Sequence, residues 1–227
     1  MTGHNGRVKV SEALQARYSV RGYLTDPVPE ELIREVFEIA RWSASGTNTQ
    51  PWHVAVVSGD ARDRLSDQLC ELFDAGVAQE RGFPGDAEMN GIYLDRRRAC
   101  GFGYYETMGV GRKDSEGRKR IARKNFEFFG APHVAFFSMP RTFAYSQAVD
   151  MGIVLQAVML VMVEKGLGCI AQGSLAGYPA PVREIADMPD ENEIVFGLSF
   201  GYEDPDAHIN TVRMTRAAVD DVVSFTA

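Results

Sequence analysis

An α+β fold, a small mixed β-sheet packed with helices, is what this sequence predicts, on three observations. Helical patterns outnumber strand patterns and do not alternate with them one for one, so a doubly wound sheet is not expected. Four short runs, "HVAVVSG", "HVAFFSMP", "CIAQGS" and "EIVFGLSFG", have the β-branched and aromatic character of buried strands. The longest apolar stretch, "AVDMGIVLQAVMLVMVEKGLG", reads as a helix apolar nearly all round, either central to the core or shared with a second subunit. At 227 residues the chain is expected to be one domain, 1–227, with a sizeable insertion over about 76–130.

The elements follow in order. Ser11 is placed to cap a short helix, "SEALQAR", that runs into "RYSVRGY". Pro27 and Pro29 set up a second helix, in which Leu32, Ile33, Val36, Phe37 and Ala40 recur at helical spacing behind Glu30 and Glu31. After the first strand, Gly59 and Asp60 start a helix with Leu65, Leu69, Leu72 and Phe73 on one face. "RGFPGDAEMNG" reads as a mobile loop. Helices are expected over 95–108 and 115–129, separated by "GVGRKD". The tail is irregular from Asp204 and ends in a β-like "DDVVSF".

A net charge of −7 argues against nucleic acid as a partner, since phosphate-backbone binding needs a basic face. The first ten residues hold no apolar signal region, and the three cysteines, Cys70, Cys100 and Cys169, are far apart and odd in number. No disulfide framework or CxxC pair is available, so a reducing cytoplasm and buried, inert thiols are expected. Asp150 and Gln156 interrupt the apolar stretch, and a membrane span is not expected.

Several motifs fail on context. "GLSFG", residues 197–201, matches the G-x-S-x-G nucleophile pattern, but "YEDPDAHIN" follows where a helix is required, so Ser199 reads as an interior-strand serine. "GLGCIA", residues 166–171, has a helix before it and a strand after it, the reverse of a dinucleotide fingerprint; glycine capping of the core helix accounts for Gly166 and Gly168. His4, His53, His133 and His208 are scattered without ligand spacing, so no metal is expected, and His53 and His133 read as partly buried hydrogen-bonders at strand starts. The basic residues 96–98, Arg112, Lys113, 118–120, Arg123 and Lys124 read first as a solvated helix face. Their functional reading is attraction of an anionic substrate or a phosphorylated nicotinamide.

One constellation survives. In "RYSVRGY", Arg17, Ser19 and Arg21 stand at alternate positions and share one side if the segment is extended. Two guanidiniums flanking a hydroxyl suit a phosphate, through charge-assisted bidentate hydrogen bonds. Arg213 and Arg216 offer a second basic pair, and the linker "SASGTNTQPWH" adds the amides of Asn48 and Gln50. A phosphate clamp plus amides for a flat polar ring, with no Rossmann motif, points to FMN.

The stretch "ARYSVRGYLTDPVPEELIREVFEIARWSASGTNTQPWHVAVV" resembles the start of the FMN-dependent nitroreductase family. "GLGCIAQGSLAGYPAPVREIA" resembles its second flavin loop, and "GLSFGYEDPDAHINTVRMTRAAVDDVVSF" its C-terminal segment. The resemblance implies a nitroreductase-like fold and assigns Arg17, Tyr18, Ser19 and Arg21 to FMN, with Arg17 nearest the phosphate. It gives Thr47, Asn48 and Gln50 to the ribityl chain and ring edge, with Pro51 and Trp52 pinning the linker. Backbone N–H groups near Ala176 and Gly177 would face flavin N5 and O4, with Ser174 and Leu175 beside them. Arg213 and Arg216 would complete the clamp. Ala176 replaces a glutamate of several relatives, and Ala218 a usual proline.

The resemblance further implies a homodimer with flavins at the interface and exchanged helices and tails. It makes the region from about 76 to 130 a lid with Phe102, Tyr104 and Tyr105 as candidate aromatics. The implied activity is ping-pong reduction by NAD(P)H of a flat aromatic or quinone, with no catalytic side chain nominated. Reductive dehalogenases, enoate-type reductases and a flavin-destroying enzyme share the fold, and a non-turnover flavin protein is the reading from a different class.

Overall fold

The computed structural model describes residues 8–84 and 87–226; the expectations for an N-terminal signal region and His4, and part of the loop expected around Gly85 and Asp86, lie outside them. Seven α-helices and four strands are found among the described residues. The order is α1 (Val10–Ala16), α2 (Glu30–Ala40), β1 (His53–Ser58), α3 (Gly59–Asp74), α4 (Gly91–Thr107), α5 (Ser115–Arg123), β2 (His133–Pro140), α6 (Tyr145–Glu164), β3 (Gly168–Gln172), α7 (Pro179–Ile185) and β4 (Asn192–Gly201).

The strands lie in the order β1-β2-β4-β3, and all three ladders are antiparallel. The mixed character expected of the sheet is confined to one isolated parallel bridge, Ser19 to Cys169. β2 is central and buried along nearly its whole length, which is why "HVAFFSM" is a continuous apolar run and does not alternate. On one face Phe136, Val134, Ile170 and Leu175 pack with Leu65 and Leu69 of α3; on the other Phe137, Met139, Leu198 and Phe200 pack with α2 and α6.

α6 presents Met151, Val154, Val158 and Met162 to this second cluster and leaves Tyr145, Val149 and Ile153 exposed. Contrary to the expectation drawn from Asp150 and Gln156, its length and hydropathy do reach those of a membrane span, but its buried face is core. At its end Gly166 takes φ +74°, with the Leu167 amide on the Met162 carbonyl at 2.8 Å and the Gly166 amide on Val163 at 3.1 Å. That is the glycine-capped helix end read from "GLG". Gly168 is needed for another reason: a Cβ there would come within 2.8 Å of Val20.

Four local expectations are corrected. Ser11 lies inside α1, whose N-cap is Lys9. α5 stops at Arg123 rather than running to residue 129, because Phe126, Phe128 and Phe129 turn into the core, the last two with φ +54°. "DDVVSF" forms no strand; it holds a 3-10 turn, Val219–Asp221, and leaves Val222, Val223 and Phe225 exposed. Cys70 and Cys169 are buried, as expected of inert thiols, but Cys100 is exposed on α4.

His133 is the hydrogen-bonder expected. Its Nε2 accepts from the Val28 amide at 2.8 Å, its Nδ1 lies 2.5 Å from Ser58 Oγ, and its ring stacks on Phe200. Burial of the ring lowers its pKa, and the neutral ring accepts the Val28 bond. His53 differs: its Nδ1 is buried without a partner. Ser199 is fully buried in β4 and hydrogen-bonds Gln172, as an interior-strand serine should.

Candidate functional site

Three segments gather the polar residues singled out in the sequence. The first follows α1. Arg17 caps that helix in extended conformation, its amide on the Ala13 carbonyl, and the chain then runs beside β3, with the Val20 amide bonded to Cys169 O at 3.1 Å. Val20 is buried, while Arg17, Tyr18, Ser19 and Arg21 around it are all half-buried. The Arg21 guanidinium donates to the Ser19 carbonyl at 3.1 Å and lies over the rings of Tyr104 and Phe129, 4.7 and 5.8 Å from their centroids.

Tyr18 points the other way and hydrogen-bonds Glu203, with the Arg213 guanidinium 3.3 Å above its ring. Burial, then Glu203, pushes its phenol up to about 12, so it stays a neutral donor. Arg213 therefore belongs to this corner. Arg216 does not join it: its guanidinium turns back on the carbonyls of Met214 and Thr215.

The corner is locked by Asn210, a residue the sequence did not single out. Its side chain accepts from the Arg21 amide at 2.8 Å and donates to the carbonyls of Gly22 and Asp204 at 2.8 and 3.1 Å. Gly22 must be glycine, because a Cβ there would lie 2.4 Å from Ala207 Cβ. An asparagine in a polar tail gives no sequence signal of such a role.

The second segment is the linker before β1. Its 3-10 turn, Gly46–Asn48, and Gln50 place three non-glycine residues at positive φ: Thr47 at 49°, Asn48 at 60° and Gln50 at 47°. Such left-handed residues cost on the order of 1 kcal/mol each and persist only where something holds them. Here the Gly46 amide bonds Asp150 Oδ1 at 3.0 Å and the Gln50 amide bonds Ser45 Oγ at 3.0 Å. Thr47, Asn48 and Gln50 are all exposed, whereas Pro51 is buried and Trp52 packs on the second core cluster. Asp150 was read only as an interruption of the apolar helix; it is 5% exposed, with Oδ2 buried and unpartnered.

The third segment is the 3-10 turn Gly173–Ala176 after β3. Leu175 is fully buried against Gly197, where no Cβ could fit. Ala176 is nearly buried, the Gly177 amide bonds Ser174 O at 3.1 Å, and the Ser174 hydroxyl is buried with no partner. The Glu80 amide bonds the Gly177 carbonyl at 2.8 Å, so the chain after α3 straps this turn down.

Of the lid candidates, Tyr104 covers Arg21, its hydroxyl buried and unpartnered, and Tyr105 lies beside it with ring centroids 5.9 Å apart. Phe102 projects elsewhere, half-exposed under the Arg112 guanidinium.

Within one chain these segments do not all meet. Cys169 is level with Phe200, His133 and Ser58, whereas His53 is level with Ser138 and Ile194. The arginine corner thus sits at the β3 edge and the linker leaves from the opposite end of the β1 edge. At strand spacing and rise, that is roughly 15 Å across the sheet and roughly 17 Å along it.

The chain matches the model of the nitroreductase family over residues 14–202. It is 38% identical to the nitroreductase NfnB of Mycolicibacterium smegmatis, over 93% of this chain and 90% of that protein, and 31% identical to a 4-nitrobenzoate reductase of Pseudomonas putida, over 92% of each. Its fold superimposes with a TM-score of 0.92 on the FMN-dependent NfnB of Mycobacterium smegmatis in complex with NADPH, at 35% identity over 96% of this chain and 97% of that one. The score is 0.91 for the FMN and NADPH-dependent NfnB of sphigopyxis sp. strain HMH, at 32% identity over 96% and 99%.

Proposed function

The chain belongs to the nitroreductase family, and on that premise we propose an FMN-dependent oxidoreductase that uses NAD(P)H to reduce flat, electron-poor substrates, nitroaromatics foremost. The observation that carries this reading is the arginine corner. Arg17 and Arg21 share the extended segment, Arg213 stacks on Tyr18 between them in sequence, and none of the three forms an ion pair among the described residues. Uncompensated guanidiniums of this kind match a phosphate dianion. The buried, unpartnered hydroxyls of Ser174 and Tyr104 are two further groups that need a polar ligand.

These residues fit FMN. Arg17, Tyr18, Ser19, Arg21 and Arg213 would hold its phosphate and ribityl chain. Thr47, Asn48 and Gln50 would meet its polar edge, and Ser174, Leu175, Ala176 and Gly177 would line the ring. When bound, FMN supplies a ring that takes hydride from NAD(P)H and passes electrons to the second substrate in a ping-pong cycle. The Arg21 guanidinium would offset negative charge on the bound ring. Leu175 and Ala176 present backbone on a rigid turn, which fixes orientation. Tyr104 over Arg21 keeps water from that guanidinium and so strengthens its field. No side chain is required to give or take a proton.

The functional unit in this reading is a homodimer, in which the amide loop of one copy meets the arginine corner of the other. Supporting it are the separation of the two within one chain and the exposed stripe of Tyr145, Val149 and Ile153 on α6. The outer edge of β1 also pairs with no strand among the described residues, beside a groove of about 1040 Å³ walled by Ile33, Phe37, Val54 and Val56. The tail with its exposed valines and Phe225 is the segment whose β-character suits that edge in a partner. The segment of about 76–130 acts as the lid, and a cytoplasmic location goes with the supply of reduced nicotinamide and with free thiols.

The test is a visible spectrum of the purified protein, followed anaerobically by NADPH and then NADH. The expected result is a yellow protein that bleaches and regains colour on adding a nitroarene or quinone. A protein that is colourless and takes up no added FMN would overturn the reading.

A further inference from the structure

We propose that a basic niche on the outer side of α4, formed by Phe102, Arg112 and Arg118, binds the adenosine 2′-phosphate end of NADPH and makes NADPH the preferred reductant. The inference rests on the functional reading above and adds a site to it. After α4 the chain turns through Gly109, at φ +66°, and Gly111 into α5, and this turn encloses a cavity of about 500 Å³. Phe102, Tyr105, Glu106, Val110, Arg112 and Arg118 line it.

Arg112 lies flat over Phe102, its Cζ 4.3 Å from the ring centroid. The stacked pair is a platform whose guanidinium edge still carries free N–H donors. Arg118 donates one nitrogen to the Arg112 carbonyl and so ties the two arginines to one rim. Neither forms an ion pair among the described residues, although their neighbours do: Arg120 reaches Asp114 at 4.0 Å, and Arg123 reaches Asp74 at 2.9 Å. A solvated helix face gives no reason for two arginines without ion pairs to share the rim of one cavity.

The wall is not that of a simple anion hole. Glu106 repels a bare anion but can accept from an adenine amino group or a ribose hydroxyl. Two arginines, one carboxylate and two aromatic rings suit a phosphorylated nucleoside better than a free phosphate. The niche is also connected to the site. Tyr105 on its wall lies beside Tyr104, which covers Arg21, so α4 carries the niche on one side and the flavin corner on the other. A helix with its side chains is about 10 Å thick, a span that a dinucleotide bridges.

NADPH and NADH differ only by the 2′-phosphate, so their ratio isolates the niche. Anaerobic bleaching of the holoenzyme at limiting nucleotide would be timed with each. The wild type is expected to react with NADPH at least about tenfold faster, the scale of one charge-assisted contact. In Arg112→Ala/Arg118→Ala the preference falls to about threefold or less, through NADPH alone, while the charge control Arg64→Ala keeps it. Arg118→Gln retains a donor for the Arg112 carbonyl, and it separates lost charge from a damaged turn if the double variant melts early.

Calorimetric titration with adenosine 2′,5′-bisphosphate against adenosine 5′-phosphate reads the niche without turnover. The bisphosphate is expected to bind more tightly to the wild type and to lose that advantage in the variant. A wild type with no preference in either assay, or a variant that keeps it, overturns the proposal. A flavin that neither nucleotide bleaches would sink the functional reading instead, while the titration still decides the niche.

Discussion

The arginine corner and the amide loop are built on opposite plans. The corner is held from inside its own chain: β3 pairs with it, Asn210 bonds its backbone, and Gly22 admits Ala207 at a distance no other residue allows. The loop is exposed, carries three left-handed non-glycine residues, and is tied to α6 by the bond from Gly46 to Asp150. Strain kept where little of the same chain rewards it suggests geometry set for a contact outside that chain. In the proposed reading the corner would position a phosphate, and the loop would meet a flavin held by another copy.

The largest effect expected is at the corner. Arg17→Ala should cost about 1.5–3 kcal/mol of FMN affinity, as for hydrogen bonds to a charged group, measured by quenching of flavin fluorescence. Gly22→Ala should lower stability by about 1–3 kcal/mol through the clash with Ala207, read from the thermal midpoint. Thr47→Gly breaks the symmetry of the comparison. It relieves a positive φ, so stability should hold or rise by up to about 1 kcal/mol while FMN affinity falls. A loss of stability there would mean the loop is not strained.

A pH series sharpens the comparison, because it reads a group that lies in neither the corner nor the loop. His133 has its pKa lowered by burial from the ordinary 6.5. Between its folded value and about 6.5 the unfolded chain binds more protons, so stability rises with pH through that window and is level above it. The slope contributed is at most about 1.4 kcal/mol per pH unit, and His133→Gln should flatten it in thermal melts at pH 5 to 7. Arg216→Ala is expected to be smallest, within about 0.5 kcal/mol for FMN affinity, since its guanidinium serves only its own backbone.

The sequence made the corner legible because alternate Arg17, Ser19 and Arg21 mark an extended segment aimed at an anion. The strands were legible because their apolar runs are short and bounded. What escaped was set by partners distant in sequence. Asp150 looked like a blemish in an apolar helix until its bond to Gly46 was seen, and Asn210 looked like tail. The run from 115 to 129 kept a helical pattern, yet the core pulled three phenylalanines out of it. "DDVVSF" has strand chemistry yet pairs with no strand among the described residues.

The central claim, that one copy's corner and another's loop share a flavin, is tested by complementation. Arg17→Ala and Asn48→Ala chains each bind FMN weakly as homodimers. Co-expressed with different tags and purified as the mixed dimer, they leave one site doubly altered and one intact. The account predicts that half of the sites in the mixed dimer regain wild-type FMN affinity. Uniformly weak binding at every site would mean that corner and loop act within a single chain, and would contradict it.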